Sequence, residues 1–186
     1  MKSVEERIIE TANRLFYLQG YNKTGINQLI EEAGIAKASL YSNYSSKQEV
    51  ALAYLHSKAD SWVQRLRGQL LPGATPKKKV ELIYEFLESL IEQETFVGCA
   101  FQKMSSEIDP QTDQEIEKEI KRIKQMLRNF FHALVAKSAE KPLKEEQVLG
   151  DELFILFEGA MISVQVHREL WPVLGARSAS LKLLKK

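Results

Sequence analysis

The feature that most constrains the fold is the spacing of apolar residues, which recur every three or four positions along almost the whole 186-residue chain. Ile116, Ile120 and Ile123 show this spacing, with charged residues between them. Such a period places apolar side chains on one face of an α-helix, whereas a half-buried strand requires alternation at every second residue. No sustained alternation of β-branched residues is present in the sequence. The sequence therefore predicts an all-α fold with about nine helices.

Composition narrows the class of protein. With 44% hydrophobic and 27% charged residues, the chain is typical of globular proteins. The single cysteine, Cys99, excludes a disulfide framework and a multi-cysteine metal site, and its thiol is either buried and structural or reactive. No cofactor or metal motif is present, and we expect neither. The most apolar segment, residues 153–166, contains Glu158 and is too short to span a bilayer, so we expect a cytoplasmic protein without a membrane partner.

Residues 24–49 carry the most informative pattern. Two short helical segments are separated by a tight turn at Gly34, an arrangement typical of the helix-turn-helix, whose second helix enters the DNA major groove. Between Ala33 and Gln48 the chain has two lysines and no acidic residue, although its formal net charge is only +1. Because DNA carries a dense negative charge, this local positive charge favours a nucleic-acid contact.

The candidate DNA contacts divide into base and phosphate contacts. Lys37 and Ser39 lie at groove-facing positions of the second helix, and the small Ala38 allows contact with a thymine methyl group. Thr24, an expected N-cap, and Lys47 lie at expected helix starts, where phosphates bind. The full set of candidates is Thr24, Gly25, Asn27, Lys37, Ala38, Ser39, Tyr41, Ser42, Asn43 and Lys47.

This part of the chain resembles the N-terminal domain of the TetR family of transcriptional regulators. The matching residues are Phe16, Gly20, Tyr21, Thr24, Leu29, Ala33, Gly34, Ile35, Leu40, Tyr41, Tyr44, Ser46, Lys47 and Val50. The chain departs from the family pattern at Gly25, Ala36 and Asn43, which leaves the DNA sequence that it reads less predictable. The resemblance implies a homodimer on a palindromic operator, with two recognition helices about 34–36 Å apart in successive major grooves.

The resemblance also implies two domains, a helix-turn-helix domain over residues 1–55 and a ligand-binding and dimerisation domain over residues 56–186. Gly98-Cys99 and Glu158-Gly159-Ala160 are similar to the ligand domains of one subgroup of the family. The aromatic and methionine residues of the second domain either line a ligand cavity or fill a helical core, and both interpretations remain open. The candidate ligand contacts are Phe101, Met104, Phe130, Phe131, Phe154, Glu158, Met161 and Gln165.

The eighth predicted helix is apolar on more than one face. A helix that packs on its own core and also on a partner has this pattern, so we expect the last two helices to form a two-fold symmetric dimer contact. The candidate dimer residues are Leu153, Leu156, Ile162, Val166, Trp171, Leu174 and Leu181.

The resemblance therefore implies a DNA-binding repressor that an unknown small molecule releases from its operator. We expect no enzyme, because the sequence offers no nucleophile–base pair or metal cluster. The alternative is an all-α small-molecule-binding protein or enzyme whose helix-turn-helix is only structural. The sequence also leaves open whether the regulator represses or activates.

Overall fold

The computed structural model describes residues 2–93, 96–136 and 144–185, and within these ranges the chain is all-α, which confirms the predicted fold class. No helix of the described residues is both long and apolar enough to cross a membrane. The helices in the described part of the chain are α1 (Val4–Leu18), α2 (Ile26–Glu32), α3 (Lys37–Asn43), α4 (Lys47–Gly68), α5 (Pro76–Ile91), α6 (Ala100–Glu107), α7 (Gln114–Val135), α8 (Lys144–His167) and α9 (Trp171–Leu183).

Local sequence signals fix both ends of α1. The Ser3 hydroxyl accepts a hydrogen bond from the Glu6 N–H at 3.1 Å, and the Glu6 carboxylate accepts from the Ser3 N–H at 2.7 Å. This reciprocal pair satisfies two N–H groups that the first helical turn leaves open. Gly20 follows the helix with a φ of +101°, a conformation that L-residues with side chains rarely adopt. The sequence therefore determines where α1 begins and ends.

The predicted N-cap of α2 is wrong by one residue. Gly25 is the N-cap, and it makes no side-chain capping bond. The hydroxyl of Thr24 instead donates to the carbonyl of Gly20 at 2.7 Å and accepts from the side-chain amide of Gln19 at 3.0 Å. Thr24 is completely buried, because it closes the turn before α2 rather than opening the helix.

The starts of two longer helices follow the sequence. The Ser46 hydroxyl accepts from the Glu49 N–H at 3.2 Å at the start of α4, and the Thr75 hydroxyl accepts from the Lys78 N–H at 3.3 Å at the start of α5. Pro76 occupies the first turn of α5, where its missing N–H costs nothing. These caps explain why each helix begins where it does.

The described residues form two compact units, which we call the first and second unit. The first unit combines residues up to Ser61 with Ala100–Arg122, and the second combines Trp62–Cys99 with the residues from Ile123 onward. Helix α6 and the start of α7 therefore belong to the same unit as the helix-turn-helix, which sequence order did not indicate. The functional division after residue 55 stays a prediction.

The core of the first unit is centred on Phe16. Its ring lies edge-on to Tyr21 and Tyr54, with centroid distances of 5.6 and 5.5 Å. Leu29 of α2 and Leu40 of α3 are fully buried in the same unit. Because aromatic and aliphatic side chains from four helices meet there, the short α2 and α3 are held by packing rather than by their own helix propensity.

The core of the second unit is rich in aromatic residues. The Phe157 ring lies 5.2 Å from Phe131 and 6.4 Å from Tyr84, measured between centroids. The hydroxyl groups of Tyr84 and Ser180 are 3.0 Å apart in the same core, and burial raises the pKa of Tyr84 to about 12. This hydrogen bond joins α5 to α9 and satisfies both buried hydroxyl groups.

Candidate nucleic-acid interface

Helix α3 presents most of its surface to solvent. It packs on α1 and α2 through Leu40, which is fully buried. The other predicted contacts of α3 are exposed, apart from the half-buried Ser39; the exposed ones are Lys37, Ala38, Tyr41, Ser42 and Asn43. Because only one leucine of this seven-residue helix is buried, the rest of its surface is free to contact a major groove.

The turn between α2 and α3 is held by α1. Gly34 has a φ of +61°, and its carbonyl accepts a hydrogen bond from Arg7 Nη2 at 2.5 Å. A Cβ at this position would lie 2.7 Å from the same nitrogen atom. The positive φ therefore favours glycine at position 34, and a side chain there would displace the guanidinium group.

A second contact holds the other end of α3. The Tyr44 hydroxyl, at the C-cap of α3, donates to Glu5 Oε1 of α1 at 3.4 Å. Burial and the neighbouring Glu5 carboxylate raise the pKa of Tyr44 to about 12, so the hydroxyl keeps its proton. Helix α1 thus contacts the chain both before and after α3, which fixes the direction in which α3 points.

Two predicted DNA contacts lie on one face of α3. The ammonium of Lys37 is 5.9 Å from the centroid of the Tyr41 ring, one helical turn further along. Tyr41 is 44% exposed, which is high for a large aromatic side chain. The attraction between cation and ring restricts the long Lys37 side chain without burying its charge.

The last turn of α3 holds its polar side chains close to its own backbone. The Ser42 hydroxyl and the Asn43 amide both donate to the carbonyl of Ser39, at 3.0 and 2.8 Å. Asn43, one of the departures from the family pattern, is therefore oriented by its own helix. Its side chain remains exposed beside the rest of the α3 surface.

Lys47 is less exposed than its predicted phosphate contact suggests. Its ammonium donates to the carbonyl of Tyr21 at 3.0 Å and lies 4.1 Å from the Tyr21 ring centroid. Burial lowers the pKa of Lys47, while the Asp113 and Glu107 carboxylates act in the opposite direction. Lys47 therefore joins α4 to the turn after α1, and only part of its side chain faces solvent.

The remaining predicted DNA contacts lie at the start of α2. Gly25 and Asn27 are exposed, whereas Thr24 is buried with its hydroxyl bonded to Gly20. Sequence reasoning missed the contribution of Arg7, which lies 27 residues before its partner Gly34. No local pattern in the sequence connects two residues at that separation.

The predicted ligand contacts do not lie in one compact unit. Phe101 and Met104 belong to the first unit, and both are buried. The other six belong to the second unit; of these, Phe131 and Met161 are buried, whereas Phe130, Phe154, Glu158 and Gln165 are partly exposed.

Glu158 has the charged partner that its position in an apolar segment demands. It forms an ion pair with Lys124 of α7, whose ammonium is also 3.5 Å from the Sγ atom of Cys99. Burial acts to lower the pKa of Lys124, but Cys99 and Glu158 outweigh it and the pKa is raised. The Gln165 side chain lies where a Cβ at Gly98 would be, so α8 also contacts the segment that contains Gly98 and Cys99 in the same unit.

The predicted dimer residues differ in exposure. Val166 is 72% exposed and Trp171 is 54% exposed, whereas Leu153 is 1% exposed and belongs to the core of its own unit. Ile162 and Leu174 are also exposed, while Leu156 and Leu181 are partly exposed. The exposed Val148 and Ile155 lie on the same face of α8 as Ile162, at intervals of seven residues, and neither is among the predicted dimer residues.

Comparison with known proteins agrees with this geometry. Residues 8–54 match the family model described as "Bacterial regulatory proteins, tetR family". An uncharacterized HTH-type transcriptional regulator of Bacillus subtilis, YuxN, is 30% identical over 134 residues, which are 70% of this chain but only 44% of that relative. The chain thus spans less than half the length of this relative.

Two further proteins are similar over most of their length. The HTH-type transcriptional repressor NemR of Escherichia coli is 25% identical over 177 residues, covering 90% of this chain and 87% of NemR. The crystal structure of a TetR-family transcriptional regulator from Streptomyces coelicolor superposes with a TM-score of 0.83 at 23% identity, covering 98% of this chain and 96% of that chain. At this identity the structural likeness establishes the fold.

The helix-turn-helix with its exposed second helix, together with the helical fold, defines the class of helix-turn-helix regulators. Within that class, residues 8–54 match the TetR family model, and the comparisons support a TetR-family transcriptional regulator. The relatives named above are regulators rather than enzymes.

Proposed function

We propose that the chain is a homodimeric repressor that binds a palindromic DNA operator through α3 and is released by a small molecule. The observation that carries the proposal is the exposure of α3, in which Leu40 alone is buried while Lys37 and Tyr41 face solvent. A structural helix pair would cover both helices with neighbouring elements, and α3 is not covered within the described residues.

The polar surface of α3 suits DNA rather than a protein partner. Lys37 supplies a donor for guanine acceptors, and the exposed Ala38 methyl suits a thymine methyl. The Tyr41 hydroxyl supplies a donor for a phosphate, whereas the Ser42 hydroxyl does so only by giving up its bond to the Ser39 carbonyl. Because Thr24 is buried, we leave it out of the proposed interface. We retain Lys47 as a phosphate contact, because its ammonium has three N–H donors and the Tyr21 carbonyl uses one of them.

The proposed dimer uses the exposed apolar residues of α8 and α9. Ile155, Ile162 and Val166 form a continuous apolar stripe on α8, and Trp171 and Leu174 extend it onto α9, which packs on α8. Exposed apolar side chains that cluster on one face of a single chain indicate a contact with a partner. A second copy supplies the same surface, and a two-fold axis then matches a palindromic operator.

The proposed effector binds the second unit. Its aromatic core is bordered by the ion pair between Lys124 and Glu158, and a ligand site needs a few polar groups beside an apolar surface. The repressor sign of the proposal is supported by the similarity to NemR, which is named as a repressor.

A DNA-binding assay tests the proposal. The full chain is used to select duplexes from a random-sequence pool, and binding to the selected duplex is measured by gel retardation at about 50 mM salt. We expect retention of a duplex with two related half-sites, and reduced binding by Tyr41→Ala. Failure to retain any duplex at this salt concentration would favour the alternative of a structural helix pair.

A further inference from the structure

We infer that Glu107 is a positioning residue for DNA binding, because its carboxylate fixes the turn between α1 and α2 and thereby the direction of α2 and α3. The inference rests on the proposed DNA-binding function. Glu107 lies in α6, outside the segment 8–54 that the family model matches.

Two hydrogen bonds join Glu107 to Asn22. The main-chain N–H of Asn22 donates to Glu107 Oε2 at 2.9 Å, and the side-chain amide of Asn22 donates to the Glu107 carbonyl at 2.6 Å. Glu107 is the last residue of α6, so its carbonyl has no helical partner and accepts from the turn instead. The two bonds therefore satisfy the main-chain N–H of Asn22 in the turn and the carbonyl of Glu107 at the end of α6.

The same carboxylate explains the glycine at position 20. A Cβ on Gly20 would lie 2.5 Å from Glu107 Oε1 and 2.7 Å from Oε2, so a side chain there would displace the Glu107 carboxylate. The φ of Gly20 is +101°, which independently favours glycine. The turn is thus shaped around the Glu107 carboxylate.

A second contact attaches α6 to the end of α1. Lys103, one helical turn before Glu107, donates from Nζ to the carbonyl of Tyr17 at 2.6 Å. A cation beside the last carbonyl groups of a helix is favourable, because these groups carry partial negative charge. Helix α6 therefore contacts both the end of α1 and the turn that follows it, and these contacts hold the turn in place relative to α1.

The turn that α6 contacts lies between α1 and α2, directly before the helix-turn-helix. The Thr24 hydroxyl donates to the Gly20 carbonyl, and Lys47 of α4 donates to the Tyr21 carbonyl at 3.0 Å. Helix α2 begins at Ile26. A shift of this turn therefore displaces the start of α2 and the start of α4, and α3 lies between them in the chain.

The charge of Glu107 has a separate effect on DNA. Together with Asp113 it acts to raise the pKa of Lys47 against burial, so its carboxylate lies within electrostatic reach of a proposed phosphate contact. A negative charge at this distance opposes phosphate binding. Glu107→Gln removes the charge and keeps an oxygen acceptor for Asn22, whereas Glu107→Ala removes both, so the pair separates positioning from charge.

The experiment measures binding of the full chain to the duplex that the unmodified protein selects, by fluorescence anisotropy over a range of salt concentrations. We expect Glu107→Gln to bind as tightly as the unmodified protein or slightly more tightly. Glu107→Ala should bind roughly two- to tenfold more weakly than Glu107→Gln, the range expected for one lost hydrogen bond. The slope of affinity against salt should be the same in both variants, because neither loses a phosphate contact.

Two controls complete the design. Glu115→Ala removes an exposed carboxylate of the same unit, which lies 3.9 Å from the Lys118 ammonium, and should leave affinity unchanged. Asn22→Ala removes the bond from its side chain to the Glu107 carbonyl and should weaken binding in the same direction as Glu107→Ala. It provides the test if Glu107→Ala does not fold, and affinities are expressed per folded chain from circular dichroism at the same temperature.

The outcomes are distinguishable. Equal affinity of the Ala and Gln variants at position 107 would overturn the positioning role, as would an altered salt slope in Glu107→Ala alone. If the unmodified protein binds no duplex, it is the proposed DNA-binding function that fails. If the unmodified protein binds, and Asn22→Ala and Glu107→Ala both bind as tightly as the unmodified protein, the positioning inference alone fails.

Discussion

The guanidinium of Arg7 donates to the main-chain carbonyl of Gly34 at 2.5 Å, although 27 residues separate them. This bond joins the first turns of α1 to the turn that orients α3. We expect Arg7→Ala to lower the free energy of unfolding by about 0.5–1.5 kcal/mol, the usual net contribution of a hydrogen bond. Urea unfolding followed by circular dichroism measures the change, with Arg67→Ala on the exposed end of α4 as the control. Equal stability of the two variants would show that the bond does not hold the turn.

Lys37 and Lys47 should contribute to DNA binding in different ways. Lys37→Ala should change which operators are preferred, since a lost base contact costs about 1–3 kcal/mol at one position. Lys47→Ala should weaken binding to all sequences and reduce the salt slope by roughly one phosphate contact. Affinity for selected and random duplexes at several salt concentrations separates the two effects. Lys118→Ala, which removes an exposed lysine of α7, controls for net charge. Equal losses on selected and random DNA for Lys37→Ala would remove it from the base contacts.

The exposed stripe of α8 should be the centre of a dimer. Ile155 is 67% exposed, and in a two-fold dimer Ile155→Glu introduces two carboxylates into one apolar contact. We expect this variant to be a folded monomer at concentrations where the unmodified chain is a dimer, as measured by sedimentation velocity. Leu71→Glu changes an apolar side chain of similar exposure outside α8 and α9 and should leave the dimer intact. Dissociation by both variants, or by neither, would argue against this face.

Asp151 should contribute stability that depends on pH. It accepts two hydrogen bonds from Arg128, at 2.6 and 2.7 Å, and is 2.6 Å from His132 Nε2. These partners hold the pKa of Asp151 well below its ordinary value of 3.8. A lowered pKa in the folded state means that the stabilisation is present above the ordinary pKa and is lost as the pH falls through the folded value. Asp151→Asn should therefore be less stable than the unmodified chain at pH 7.

The difference between these two proteins should shrink as the pH falls below about 3.8, where the unfolded chain takes up its proton first. Unfolding free energies from denaturant titrations across this pH range provide the measurement. Glu115→Gln, which changes an exposed carboxylate that pairs at 3.9 Å, should show no such trend. If the difference in unfolding free energy is constant at every pH, the side chain of Asp151 stabilises the fold through its packing and hydrogen-bond geometry rather than through its charge.

Much of the fold could be predicted from the sequence because its signals are local. The Ser3–Glu6 capping box, Gly20 and Gly34 act within a few residues, and they mark the ends of α1 and the turn before α3. The length of α3 follows from the same kind of pattern. Thr24 shows the limit of such reasoning. The residue matches the family pattern, but the pattern does not reveal whether its hydroxyl is buried or exposed, and in the structure it is buried.

The contacts that orient the helices could not be predicted, because each joins distant residues. Glu107 meets Asn22 across 85 positions, and Lys124 meets Glu158 across 34. Both pairs combine common residue types that occur many times in the chain, so only the folded structure selects them. The sequence pattern indicated that Glu158 needs a partner without indicating which residue supplies it.

The most direct test of the account is the stoichiometry and location of DNA binding by the full chain. Sedimentation of the protein with its selected duplex gives the number of chains bound, and Lys37→Ala with Tyr41→Ala tests whether α3 makes the contact. We predict two chains for each duplex, two related half-sites centred about 34–36 Å apart, and loss of sequence preference in the double variant. Binding that survives unchanged in the double variant, or that involves a single chain, would contradict the account.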